Sequence, residues 1–224
     1  MHHRALRHKM VKILNGLSGK SCMKKHLLLV VMLSVITGAE AADRIAKGLE
    51  KSATCVACHG PAGISPNPLW PNLAGQHAPY LLKQMQDMKA GKTRNVPVMT
   101  AILANLSDED LTDLAAYYAS LPHPIGKTPK AAIAPGERLY RGGNFERHIT
   151  ACIACHGPGG LGNSEAGFPV ISGQNAAYTA QQLADFRDKK RANDYNAIMR
   201  DISARMTQED MNAISAYVAG LYQE

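Results

Sequence analysis

Apolar residues recur at i, i+3, i+4 and i+7 in two late stretches of the chain. Leu111, Leu114, Ala115 and Tyr118 form one stripe, and Met211, Ile214, Ser215 and Val218 echo it one hundred residues on. This period buries one face of an α-helix. Each stripe follows a start signal, Ser107-x-x-Asp110 or Thr207-x-x-Asp210, a capping box with Asp in the place of the usual Glu. The pattern upstream predicts short helices over 43–53 and 135–141 and middle helices over 77–90 and 175–191. Pro79 sits early in its helix, where its missing N–H costs little. Between Gly60 and Gly75 the chain is rich in Gly and Pro and offers no regular element, which suits a loop wrapped around something. No alternating strand pattern is present, so the expected fold class is all-α.

The two stripes belong to a larger repeat. Cys55-Val56-Ala57-Cys58-His59-Gly60-Pro61 matches Cys152-Ile153-Ala154-Cys155-His156-Gly157-Pro158 at an offset of 97. Pro71 to Gln76 matches Pro169 to Gln174 at 98, as does Tyr80 with Tyr178. Met99 matches Met199 at 100, and the capping boxes, Tyr117 with Tyr217, and Leu121 with Leu221 keep that offset. The offset grows only in likely loops, as expected of a duplicated domain. The seam, 122–135, carries four prolines and no apolar period, and reads as a semi-rigid linker. The expected organisation is a leader over 1–41, an N-terminal domain over 42–121, the linker, and a C-terminal domain over 136–224.

Charge enters mainly through the leader. The formal net charge is +7, but residues 1–41 hold seven Lys/Arg and one acid, against 18 and 17 in the remainder. A nearly neutral body argues against nucleic-acid binding. Met23-Lys24-Lys25-His26 is a short basic region, Leu27 to Gly38 an apolar run too short to span a membrane comfortably, and Ala39-Glu40-Ala41 a small-x-small cleavage pattern. These features predict export to the periplasm with cleavage after Ala41; the competing reading is a buried helix or an uncleaved anchor. Met23 would then be the true start, and Cys22 would fall in the discarded part.

The remaining four cysteines carry the chemistry. Cys-x-x-Cys-His is the attachment signature of c-type haem. Two thiols three residues apart can each add to one haem vinyl group, and the adjacent His supplies an axial nitrogen to iron. Thiol redox chemistry would want a βαβ context, zinc would leave the flanking His and the duplication unexplained, and two disulfides would ignore the spacing. The aromatic content of 5% is thin for two small cores, and a large apolar cofactor in each would supply the missing mass. Cys55, Cys58, Cys152 and Cys155 are therefore the candidate attachment residues for two covalently bound haem c groups. His59 and His156 are the proximal ligands. Met99 and Met199, each about forty residues after its His, are the candidate sixth ligands. Val96-Pro97-Val98 reads as an extended, proline-fixed strap that presses Met99 sulfur towards iron; Tyr195 to Ile198 lacks the proline. Met85, Met88, Met206 and Met211 read as core filler. The carbonyls of Pro71 and Pro169 are candidate acceptors for the histidine Nδ1–H. His77 and His123 read as surface residues, and the pattern assigns His148 no role.

With the double Cys-x-x-Cys-His-Gly-Pro, the Gly-Gln-x-x-x-Tyr segment, the late Met and the run Gly136 to Asn144, residues 42–224 resemble the cytochrome c4 family. The resemblance implies two class I cytochrome c folds in tandem, related by a pseudo-twofold axis, with His59/Met99 and His156/Met199 irons. It also implies a periplasmic, sometimes membrane-associated protein that shuttles single electrons between respiratory complexes, from a quinol:cytochrome c oxidoreductase towards a terminal oxidase, with no small-molecule substrate. Two alternatives stand beside this electron carrier. A dihaem peroxidase, an enzyme, would need one iron without a strong sixth ligand and a polar distal base. The other is a fixed electron-transfer subunit of an oxidase or dehydrogenase complex.

Overall fold

The computed structural model describes residues 40–221. The chain divides into two compact units, Met1–Asp43 and Arg44–Glu224. Of the first only 40–43 are described, and they are helical. The expected signal segment lies outside the described residues. Everything below concerns the second unit.

In this unit helix α1 (44–51) runs into a 3-10 turn, Ser52–Thr54, and then the four-residue α2, Val56–His59. α3 (Ala78–Ala90), α4 (Pro97–Leu103) and α5 (Asp108–Ser120) complete the first copy. The second copy repeats the order with α6 (Lys130–Gly142), α7 (Ile153–His156), α8 (Ala176–Arg187), α9 (Ile198–Ser203) and α10 (Gln208–Ala219). Among the described residues there are only isolated β-bridges and no strand. The fold is all-α, as the sequence predicts.

Both capping boxes form. Ser107 Oγ accepts from Asp110 N, and the Asp110 carboxylate accepts from Ser107 N; Thr207 and Asp210 do the same. Each box satisfies orphan N–H groups that a helix start leaves unpaired. The stripes behind them are the cores. Leu111 and Leu114 are fully buried in α5, as are Met211 and Val218 in α10, and burying each such side chain contributes about 1.5–3 kcal/mol. α5 packs on α3; α10 packs on α6 and α8.

The first helix of each copy crosses the last at a glycine. A Cβ on Gly48 would lie 2.1 Å from the Asp113 carbonyl oxygen and 2.6 Å from Tyr117 Cβ, and one on Gly136 would lie 2.3 Å from Tyr217 Cβ. Hydrogen is the only side chain that permits this approach. The copies differ just beyond the crossing. Gly48 stands seven residues before Cys55 and Gly136 sixteen before Cys152. The surplus forms a small hairpin closed by the Asn144–Ile149 bridge.

Three expectations about the helices and their connections need correction. Residues 96–99 are not an extended strap: Val96 is extended (φ −132°, ψ 87°), but Pro97 opens α4. Proline is well tolerated at a first helical position because its missing donor would be unpaired there anyway. The helix expected from Pro135 begins at Lys130 and encloses that proline, and Thr128 Oγ1 donates to the Tyr217 carbonyl, 2.9 Å away, so the tail of the expected linker is docked. The middle helix of the second copy ends at Arg187 rather than Arg191, because Lys189 turns left-handed (φ 59°) and Ala192 N–H bonds the Thr93 carbonyl at 2.8 Å.

The copies meet across a pseudo-symmetric polar seam. Gln76 Nε2 donates to the Val170 carbonyl (2.8 Å) and its Oε1 accepts from Val170 N (2.9 Å). Gln174 does the same to Asn72, at 2.9 and 2.8 Å. A primary amide mimics a backbone peptide, so each glutamine acts as one extra rung of ladder towards the other copy. His77 and His123 are part of this seam rather than open surface. His77 Nε2–H donates to the Leu161 carbonyl at 2.8 Å, and His123 Nε2 lies 2.7 Å from Ser172 Oγ.

Candidate functional site

α2 and α7 are single helical turns that follow a cysteine at the N-cap and end on a histidine, so Cys-x-x-Cys-His is wound into one compact face. His59 N–H bonds the Cys55 carbonyl and His156 N–H the Cys152 carbonyl, both at 2.9 Å. The chain then returns over the ring through a tight turn. Gly63 (φ 69°) accepts from Leu73 and Ala74 N–H, and Gly160 (φ 72°) accepts from Ile171 and Ser172 N–H. Side chains are strained at that φ, and a Cβ there would meet the Tyr118 ring at 3.0 Å or Leu221 at 3.1 Å.

The returning segment delivers a carbonyl to each histidine. His59 Nδ1 lies 3.0 Å from the Pro71 oxygen, and His156 Nδ1 lies 2.9 Å from the Pro169 oxygen. A carbonyl only accepts, so Nδ1 carries the proton and Nε2 keeps its lone pair. Burial holds both imidazoles below the ordinary histidine pKa, partly offset by the proline carbonyls, so both rings are neutral at neutral pH. These are the properties of an axial nitrogen donor.

Cys55, Cys58, His59 and Met99 line the same cavity as Cys152, Cys155, His156 and Met199, with a volume of about 620 Å³. The four cysteines form no disulfide, and burial pushes the Cys152 thiol up to about 11. Met99 sits in the first turn of α4, and Met199 in that of α9. The approach to Met199 is tighter: Asn196 (φ 49°) and Ala197 (φ 59°) are left-handed, and Asp194 accepts from Arg200 N at 3.0 Å. Met85, Met88 and Met206 also line the cavity, while Met211 is buried behind it. The rest of the wall is largely apolar, including Leu81, Leu103, Leu114, Ile202 and Val218. An apolar slot with a thiol pair, an imidazole Nε2 and a thioether fits an iron porphyrin attached through its vinyl groups. His148 is exposed on the hairpin, against Phe145, and like His77 and His123 does not line the cavity.

The sequence reading gave no role to the polar groups in the cavity wall between the copies. Arg94, Arg191, Tyr80, Tyr178, Gln84 and Gln182 interlock there. The two tyrosines and two glutamines keep an offset of 98, the arginines one of 97. The arginines also sit in segments of different length, which hid them as a matched pair.

Comparison with known proteins agrees with this geometry. The cytochrome c family model matches residues 45–122 and again 133–221. Cytochrome c4 of Pseudomonas aeruginosa is 48% identical over 202 residues, covering 89% of this chain and 100% of that protein. The thiosulfate dehydrogenase electron acceptor of Thiomonas intermedia is 39% identical over 174 residues, 75% of this chain and 79% of that one. The crystal structure of reduced recombinant cytochrome c4 from Pseudomonas stutzeri superposes with a TM-score of 0.76 at 48% identity, covering 78% of this chain and 97% of that chain. The repeated haem-attachment motif, the paired folds and these likenesses make the chain a member of the cytochrome c4 family, a dihaem electron-transfer cytochrome with two haem c groups.

Proposed function

We propose that the chain is an exported carrier that passes single electrons between respiratory complexes, towards a terminal oxidase, with one haem in each of 42–121 and 136–224. Cys55 and Cys58 hold the first haem and Cys152 and Cys155 the second. His59 with Met99, and His156 with Met199, close the two irons. The observation that carries this reading is the convergence of all eight side chains on one cavity, with each histidine Nδ1 tied to a proline carbonyl. Bound haem supplies a one-electron iron couple, and methionine ligation raises its potential. The protein's part is to fix the tautomer at Nδ1, keep Nε2 neutral, exclude water with the leucine wall, and supply the thioether. The mature chain begins near Ala42 in the periplasm, where the carrier meets a quinol:cytochrome c oxidoreductase and, peripherally, the membrane.

A fixed role beside a dehydrogenase is a second reading, favoured by the likeness to the thiosulfate dehydrogenase electron acceptor. A potentiometric titration of the mature protein, with reduced spectra recorded with and without carbon monoxide, tests the carrier reading. Two low-spin couples and no carbon monoxide adduct are expected. An adduct at one iron would favour a peroxidase-type site instead.

A further inference from the structure

Each copy places a buried tyrosine beside its first cysteine, but from opposite helices. Ser52 stands four residues after the crossing glycine Gly48, and Tyr140 stands four after Gly136. On the last helix the sizes are reversed, because Tyr118 of α5 matches Val218 of α10 at the offset of 100. All four side chains are buried. Tyr118 faces Cys55, and Tyr140 faces Cys152.

The two hydroxyls are used differently. Tyr140 Oη donates to the Gly157 carbonyl, and Tyr140 does not line the cavity. Tyr118 lines it, yet its buried hydroxyl makes no hydrogen bond among the described residues. A buried donor left unpaired costs free energy. The side-chain groups facing that hydroxyl are the Cys55 thiol, the Tyr117 phenol and the Ser52 hydroxyl. Burial, and then Cys55, push the Tyr118 phenol above its ordinary pKa, so it holds its proton at neutral pH. Ser52 Oγ–H is spent on the Leu49 carbonyl at 2.7 Å, and neither Ser52 nor Tyr117 lines the cavity.

Cys55 does line it, and Cys55 alone among these groups changes when haem is attached. Addition of the thiol to a vinyl group forms the S–C bond, breaks the vinyl π bond and moves the thiol proton to the terminal carbon. The sulfur left behind is a thioether, which only accepts. The one proton then available between sulfur and phenol is that of Tyr118.

We propose that Tyr118 O–H donates to the Cys55 thioether sulfur of the first haem, and that this bond raises the first reduction potential. The proposal rests on the two-haem reading. A donor on that sulfur draws electron density from the porphyrin edge and favours the reduced iron. The second haem lacks the bond, since Val218 has no donor and the Tyr140 proton is spent on Gly157. Tyr118 acts through the sulfur and carries no electron, so it is a positioning residue.

The test uses the full chain matured with haem. Tyr118→Phe removes one oxygen and keeps the ring. One reduction equilibrium falls about threefold, or about 28 mV at 59 mV per tenfold for a one-electron couple. It is the couple that Met99→Ala also lowers, and the other stays in place. In wild type the porphyrin-side C–S stretching band in the resonance Raman spectrum shifts after exchange into deuterated water, and Tyr118→Phe abolishes that shift. No change in either couple, a rise, an equal change in both, or a lowered potential without the deuterium-sensitive band overturns the bond. Ser52→Ala leaves both potentials in place; a fall equal to that of Tyr118→Phe would make Ser52 the acceptor and overturn the sulfur assignment. If Tyr118→Phe does not mature, the deuterium shift of wild type decides alone. A chain with no thioether at Cys55 fails the two-haem reading and with it the acceptor, whereas two attached haems whose potentials ignore Tyr118→Phe fail the bond alone.

Discussion

Gln76 is the most informative single position in the seam. Its side chain is buried, and its amide makes both hydrogen bonds of the Val170 peptide that face it, while Oε1 also receives His77 N–H at 3.0 Å. Gln76→Ala leaves the Val170 N–H and carbonyl without partners. Each buried orphan costs about 1–3 kcal/mol, so the pair costs about 2–6 kcal/mol; partial entry of water into the space favours the lower half, about 3 kcal/mol. For a folded body of this size that corresponds to a drop of about 6–12 °C in melting temperature. Guanidinium unfolding of the holoprotein, followed by far-UV circular dichroism and by the fluorescence of Trp70, reads it. Trp70 suits the purpose because it is the sole tryptophan and its carbonyl accepts from Asn175 across the same seam at 2.8 Å. Gln174→Ala has the same effect through Asn72. A loss under about 1 kcal/mol in both variants would refute the idea that these amides hold the copies together.

Met99→Ala lowers the first haem's potential and lets that iron bind carbon monoxide; an unchanged spectrum and potential would remove Met99 from the ligand set. Gly136→Ala forces α6 away from α10, since the new methyl would sit 2.3 Å from Tyr217 Cβ; overpacking of this kind costs about 1–3 kcal/mol, measurable by thermal melts. Asp210 is held at about 2, chiefly by Arg147, against an ordinary 3.8. Its folded-state pKa is depressed, so its contribution is complete above pH 3.8 and disappears as the pH falls towards 2. The stability gap between wild type and Asp210→Asn should therefore close over that interval in an acid titration.

The candidate attachment and ligand residues that line the cavity carried the plainest sequence signal. Two Cys-x-x-Cys-His copies fix their own local geometry in a single helical turn, and the duplicated offset located Met99, Met199 and the two proline carbonyls. The capping boxes were equally legible, because their two hydrogen bonds depend on a spacing of three residues and on nothing distant. Errors arose where a local rule was carried too far. The residue before a proline is biased to extended backbone, and Val96 obeys, but Pro97 itself is free to begin a helix. Four prolines suggested a linker through 135, yet Lys130 to Ala134 are good helix formers, and α6 tolerates Pro135. The polar seam was the least legible part. Gln76 and Gln174 were visible as a repeated Gly-Gln-x-x-x-Tyr, but their partners are backbone groups 94 and 102 residues away, set by how the copies dock. Arg94 and Arg191 belong to no motif in the sequence, and only tertiary structure shows them buried.

Everything proposed for the site requires two haems joined to named thiols. Peptide mass spectrometry of the natively matured chain tests this most directly. The account predicts one haem on the peptide containing Cys55 and Cys58, a second on the peptide containing Cys152 and Cys155, and no unmodified form of either. Free thiols or a disulfide at either pair in the folded, exported protein would contradict it.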